Sequence, residues 1–370
     1  MTSLDEFADG QHIGKALEEA LIKSRKLQTE LTSSRTAQKH LTNEVTELRK
    51  MLDRIAQVRV EDTAVPQWQA GPIEKGKNRG TAMLVLSDLH LDEVVDQFEM
   101  VGLNKYNRDI AHQRLQKVID STVKILRDYV TGITLDGIVV CLAGDIITGE
   151  IHDELARTNE VPVQATIAHW VPVLASAFKH LADEFGTVAV YCVPGNHDRT
   201  YHKNPAKKRA ESSHAWVIYN WLADSLRDDD RVQFVISTAA EQRFNIYETK
   251  FLMHHGDGFR SAGGVGGLYP SMLKWLLRTH QVYSIMNDDW EYAVMGHWHQ
   301  MLWGPDFIVN GSLKGFDEYA LSGKFGYELA QQALVVVTPE HGITNRMPIF
   351  AQDGVAEGWQ KRGKANGRRS

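Results

Sequence analysis

Apolar positions recur every seven residues through the first 60 residues, and afterwards fall in short unbroken runs. The two patterns predict two kinds of structure. In the first stretch Leu17, Ser24, Leu31, Gln38, Val45 and Leu52 share one position of the repeat. Ala20, Leu27, Ser34, Leu41, Leu48 and Ile55 follow three residues on, and nine of these twelve are apolar. Such a seam lets two helices pack knobs into holes. Residues 1–57 are therefore expected to form a helical coiled-coil arm that joins copies of the chain as a homo-oligomer. A single docked helix is the alternative. Pro66, Gly71, Pro72, Gly76 and Gly80 stop the period, so 58–80 reads as a linker.

From Thr81 the runs alternate with helical spacing. Strands are expected at 81–88, 136–145 and 187–198, and helices at 110–129, 161–185 and 211–227, with a kink or break at Pro172. Strands separated by helices suggest βαβ units with parallel pairing. After Arg231 the runs shorten and read as further strands, interrupted by a helix at 267–280. An α/β domain over 81–350, with two β layers between helical layers, accommodates them. The basic, polar segment 351–370 is expected to lack fixed structure.

Composition narrows the class. Hydrophobic residues are 43% and charged residues 24% of 370, a globular balance that argues against a fibrous or wholly disordered chain. No apolar run approaches the roughly 20 residues of a membrane span, and the acidic N-terminus lacks a signal-peptide core. No membrane partner is expected. Two cysteines, Cys141 and Cys192, exclude a disulfide framework, read as buried thiols and suit a reducing, cytoplasmic setting. The net charge of −6 advertises no global attraction to nucleic acid.

The 16 histidines change the picture, because several stand beside Asp, Asn or Gly at strand ends. Asp88 and His90 end the first strand, and Asp145 the second. Asn196, His197 and Asp198 end the third. His254, His255 and Asp257, then His297 and His299, end two later ones. The carboxyl ends of parallel strands gather on one edge, where ligands bind. Asp-x-His and His-x-His would place two side chains on one side of an extended strand end. Oxygen and imidazole donors without thiolate suit manganese foremost, with iron, zinc, nickel or magnesium as other candidates.

These strings, DLH at 88–90, GD at 144–145, GNHD at 195–198, HG at 255–256 and GHWH at 296–299, resemble the calcineurin-like metallophosphoesterase superfamily in order and spacing. The resemblance runs from Thr81 to Thr338 and implies a four-layer αββα sandwich with two divalent metal ions. Carried onto this sequence, it implies that Asp88, His90 and His299 hold one metal and Asn196, His255 and His297 the other. Asp145 would bridge them. His197 would act on the substrate phosphate or the leaving oxygen, oriented by Asp198. His255 is preferred to His254 because it directly precedes Gly256. Two cations about 3.5–4 Å apart can activate a water or hydroxide and clamp phosphate oxygens. No protein nucleophile is required, and neither a GxSxG string nor a P-loop ending in GK[ST] is present.

The text after Asp145, GDIITGEIHDE, and the GNHD string depart from the phosphoprotein phosphatases and look closer to the phosphodiesterase and DNA-repair-nuclease branches. Arg199, Lys203, Lys207, Lys208 and Arg209 follow directly, with Tyr201 among them. They could track a nucleic-acid backbone while Tyr201 stacks on a base; an ordinary solvated basic loop explains the run equally well. The expected activity is thus a metal-dependent phosphodiesterase or nuclease on DNA or RNA. A phosphatase or diesterase for a small phosphoester is the alternative, followed by a coiled-coil scaffold with a structural metal site.

Overall fold

In the computed structural model the chain divides into two compact units, residues 1–59 and 60–370. The structure describes residues 21–40, 42, 43, 45, 46, 49, 50, 78–203, 205–260 and 267–353. The first unit is a helix, α1, over residues 21–40, and the described residues from 42 to 50 are helical too. Leu21, Ile22, Leu27, Leu31 and Val45 are exposed along it. Leu17, Ala20, Leu41, Leu48, Leu52 and Ile55 of the expected seam lie outside the described residues. So do the linker through residue 77 and the tail from residue 354.

In the second unit, long apolar runs become strands buried on both faces, as parallel strands covered on both sides require. β1 (Arg79–Leu86), β2 (Thr134–Leu142), β3 (Val188–Cys192) and β4 (Val232–Ile236) run parallel. β10 (Gln331–Thr338) and β11 (Gly342–Phe350) extend this sheet antiparallel, in the order β11-β10-β1-β2-β3-β4. The second sheet has the order β5-β6-β7-β9-β8. Its strands are β5 (Glu241–Ile246), β6 (Thr249–His254), β7 (Tyr292–Met295), β8 (Leu302–Trp303) and β9 (Phe307–Val309).

Alternation along β1 shows how the layers stack. Ala82, Leu84 and Leu86 join the core formed with α2 (Arg108–Lys124), α4 (Val163–Phe185) and α5 (His214–Ser225). Met83 and Val85 point the other way, into a core shared with Phe251, Met253, Val294 and Ile308 of the second sheet. The far face of that sheet packs Leu252, Met295 and Phe307 against Met272 and Leu276 of α6 (Tyr269–Ile285). The order is helix, sheet, sheet, helix, the expected sandwich. The short helices α3 (Asp153–Thr158) and α7 (Glu318–Ser322) lie in loops.

A kink or break was expected near Pro172, and α4 runs through it without a break. A proline inside a helix costs about 3 kcal/mol or more. Trp170, Val171, Leu174 and Phe178 around it are almost fully buried, and each large apolar side chain gains roughly 1.5–3 kcal/mol on burial. That packing outweighs the missing hydrogen bond. Strand register then sets the site. Leu86 pairs with Leu142, and Leu142 with Cys192, so β1, β2 and β3 end level.

Candidate metal centre

The loops leaving β1 and β2 are zipped together by their backbones. The amides of Asp88, His90 and Leu91 donate to the carbonyls of Gly144, Asp145 and Ile146, each at 3.1 Å. The strands stop before their polar groups. Asp88, His90, Asp145, His297 and His299 all have left-handed backbones, with φ between 45° and 71°. The expectation that Asp-x-His and His-x-His sit on extended strand ends is therefore corrected. Left-handed turns, not pleat alternation, aim the paired side chains. Such conformations cost on the order of 1–3 kcal/mol each and persist where the surroundings over-determine them.

Two glycines show how close the packing is. A Cβ on Gly195 would lie 2.1 Å from Asp145 Oδ1, and one on Gly296 would lie 2.2 Å from Asp88 Oδ2. The carboxylates fill space that only glycine leaves open.

Two groups of donors result: Asp88, His90 and His299, and Asp145, His255 and His297. In the first, His90 Nε2 lies 3.1 Å from His299 Nε2, and Asp88 Oδ1 lies 3.4 Å from His299 Nε2. Asp88 also accepts from Ser87 Oγ at 2.5 Å and from the His297 amide at 2.8 Å. In the second, Asp145 Oδ2 is 3.0 Å from His255 Nε2, which is also 3.0 Å from Asn196 Oδ1. His255 Nδ1 donates to the Ala143 carbonyl at 2.8 Å, which leaves Nε2 facing inward. Asp145 Oδ2 is also 3.9 Å from His90 Nε2, so this one oxygen stands between the two groups.

Electrostatics and donor chemistry agree on what fits. Burial opposes charge on Asp145, yet His255 and His197 hold its carboxyl well below the usual range. Burial likewise opposes charge on His255, but Asp145 pushes it up to about 10. His297, mainly through burial, is pushed down to about 4. Two buried carboxylates thus converge on imidazole nitrogens with no lysine or arginine among them, and cationic charge is what balances them. The donor set fits two divalent ions.

His255, not His254, joins the centre. His254 is turned away: its Nδ1 accepts from the Gly256 amide at 2.8 Å and its ring lies against Trp275. His197 stands beside His90 with ring centroids 4.8 Å apart, and its Nδ1 donates to the Thr148 carbonyl at 3.1 Å. Burial pushes this imidazole down to about 3, although Asp145 pulls the other way.

Asp198, expected to orient His197, makes its hydrogen bonds to backbone amides. Its carboxylate accepts from the amides of Gly195 and Asp145 at 2.8 Å, of Ile146 at 3.2 Å and of Ile147 at 3.4 Å. These buried donors have to be satisfied, and Asp198 clasps the β2 and β3 loops in doing so. Burial and Asp145 push its carboxyl up to about 7 against those bonds.

The basic loop divides in two. Arg199 donates to the carbonyls of Asn196, Tyr201 and His202 and so pins its own loop. Arg209 pairs with Asp257 at 2.8 Å, with both side chains mostly buried. Lys203, Lys207, Lys208 and Tyr201 are exposed. His152 lies outside the motifs and is exposed, and its ring centroid is 6.1 Å from that of His197. Its only signal was a histidine seven residues after Asp145 in the same loop.

Comparison with known proteins agrees with this arrangement. The family profile described as calcineurin-like phosphoesterase matches residues 82–311. Similar solved structures include a conserved Streptococcus pneumoniae TIGR4 protein described as a predicted phosphoesterase, at 12% identity over 73% of this chain and 98% of that one, TM-score 0.26. A dimetal phosphatase from Danio rerio is 11% identical over 74% of this chain and 99% of that one, TM-score 0.36. Vps29 of Chaetomium thermophilum is 11% identical over 72% and 94%, TM-score 0.26. No curated protein matches the chain.

Proposed function

The chain belongs to the calcineurin-like phosphoesterase family, and we propose that it is a two-metal phosphodiesterase whose substrate is a DNA or RNA strand. The observation that carries this reading is Asp145 Oδ2, 3.0 Å from His255 and 3.9 Å from His90. One carboxylate there serves both donor groups. Asp88, His90 and His299 would hold the first ion, Asn196, His255 and His297 the second, and Asp145 would serve both. Bound there, two ions, manganese foremost, would supply a water activated at neutral pH and a positive clamp on the phosphate.

The chain's own residues do the rest. His197 presents Nε2 to the substrate, because Nδ1 is held by the Thr148 carbonyl. Exposed His152 flanks it. Lys203, Lys207 and Lys208 attract a phosphate backbone, and Tyr201 offers a stacking face. The exposed apolar residues of α1 give a second copy a surface to pack on, so the working form is a homo-oligomer. Cys141 and Cys192, both free and buried, accord with the reducing cytoplasm.

The test is a manganese-loaded full chain assayed on single- and double-stranded DNA and RNA, on nucleotides and on nitrophenyl diesters. Cleavage of a strand supports the reading. Hydrolysis confined to small esters assigns a small-molecule phosphoesterase instead, and no hydrolysis of any ester sinks both.

A further inference from the structure

The family motifs leave out a buried cluster behind His90. His90 Nε2 faces the centre, and its other nitrogen, Nδ1, is buried 3.3 Å from Glu93 Oε2, an ion-pair distance without hydrogen-bond alignment. Glu93 is not free to move. Lys314 Nζ donates to Glu93 Oε1 at 2.8 Å and to Asp317 Oδ2 at 2.6 Å, and all three residues are buried. Thr148 Oγ1 donates to Glu93 Oε2 at 2.9 Å. The carbonyl of the same Thr148 accepts from His197 Nδ1. Lys314 and Asp317 lie beyond the matched segment, which ends at residue 311. Their strand of chain also grips Asp88, since the Leu313 amide and Ser312 Oγ donate to the Asp88 carbonyl at 3.1 and 3.0 Å.

We propose that Glu93, Lys314 and Thr148 are positioning residues that fix His90 and His197 as one unit. The inference rests on the two-metal reading above. A carboxylate 3.3 Å from Nδ1 favours, through its charge, a proton on that nitrogen and leaves the Nε2 lone pair for a metal. A buried charge cluster gives little stability, because desolvation offsets the attraction between its members. Placement is what this one supplies. Lys314 sets the rotamer of Glu93, Glu93 sets the ring of His90, and Thr148 ties the spacing of His90 to that of His197.

The test titrates Mn²⁺ into chelator-treated full chain by calorimetry, with bound metal counted by elemental analysis and melting followed in parallel. Wild type is expected to take up two ions. Glu93→Ala should weaken one of the two sites by roughly 10–100-fold, the usual effect of losing a ligand's outer partner. Glu93→Gln, which keeps an oxygen facing Nδ1 without the charge, should recover part of that affinity. Thr148→Val keeps the shape and the carbonyl but loses the hydroxyl donor, and should weaken the same site with little change in melting. It carries the test if Glu93→Ala does not fold. Wild-type affinity at both sites in Glu93→Ala and Thr148→Val overturns the inference, as does a drop in melting temperature with metal affinity intact. A wild type that takes up no ion overturns the two-metal reading itself, and the inference with it.

Discussion

The two halves of the centre are held in place by different means. Around Asp88, His90 and His299 side chains near and far in the sequence add to the backbone bonds, among them the His297 amide that donates to Asp88. Ser87 Oγ donates to Asp88 and accepts from Asn310 Nδ2, which also donates to Gln332 Oε1. Glu93 stands behind His90. Around Asp145, Asn196 and His255 the supports are mostly backbone. The Ala143 carbonyl fixes His255, the His197 amide donates to Asp145 Oδ1 at 2.7 Å, and Asp198 gathers four amides. Side-chain supports can be removed one at a time and should show up as changes in metal affinity. Backbone supports fail only through the residue that gathers them, and should show up as changes in stability.

The most drastic way to break this comparison is to remove the atom both halves share. Asp145→Asn keeps the shape but removes the negative charge and one of the two oxygens. Charge stabilisation of several kcal/mol at the transition state corresponds to a loss of about 1,000-fold or more in hydrolysis. Bound metal should fall below two ions per chain by elemental analysis. If only the His255 side loses metal, the halves are independent and Asp145 does not bridge them.

A gentler pair of variants sets one half against the other. Asp198→Asn leaves one acceptor oxygen and turns an NH₂ group toward amides that themselves donate. Unsatisfied buried donors cost about 1–3 kcal/mol, so the denaturant midpoint should fall measurably at pH 8. Ser87→Ala removes a hydroxyl from Asp88 and should cost stability less, by about 1 kcal/mol, while weakening Mn²⁺ binding on the Asp88 side. Equal effects of the two variants on stability and on metal affinity would erase the distinction.

The same distinction explains what the sequence made legible. Asp88, His90, Asp145, His255, His297 and His299 each follow a strand-like apolar run, so type and position both pointed to them, and level strand ends brought them together. The partners of Asp198 were not legible because they are backbone amides, which carry no residue identity. Glu93 and Lys314 are 221 residues apart. Nothing local marks either as other than a surface charge, and only the β1–β10 pairing and the turn before it make them neighbours. Pro172 is a related case: local chemistry favours a kink or break, and a face buried against distant strands keeps the helix continuous. The left-handed backbones were hidden because non-glycine residues adopt them here only under tertiary constraint.

The smallest expected effect concerns the loop attached to the second half, where Arg199 is bonded to the Asn196 carbonyl. Lys203, Lys207 and Lys208 are exposed, so replacing all three with alanine should leave folding and metal content unchanged. A small diester, too short to reach the loop, should be hydrolysed with unaltered kcat and KM. A strand should show a raised KM with kcat retained. The salt dependence locates the cause. Each phosphate contact with a single strand contributes about 0.7 to the slope of log affinity against log salt. Losing three should flatten that slope by roughly 2. An unchanged slope would mean that these lysines belong to solvent alone, that the strand reaches the centre from another side, and that the second half of the site contributes metal ligands without a binding track.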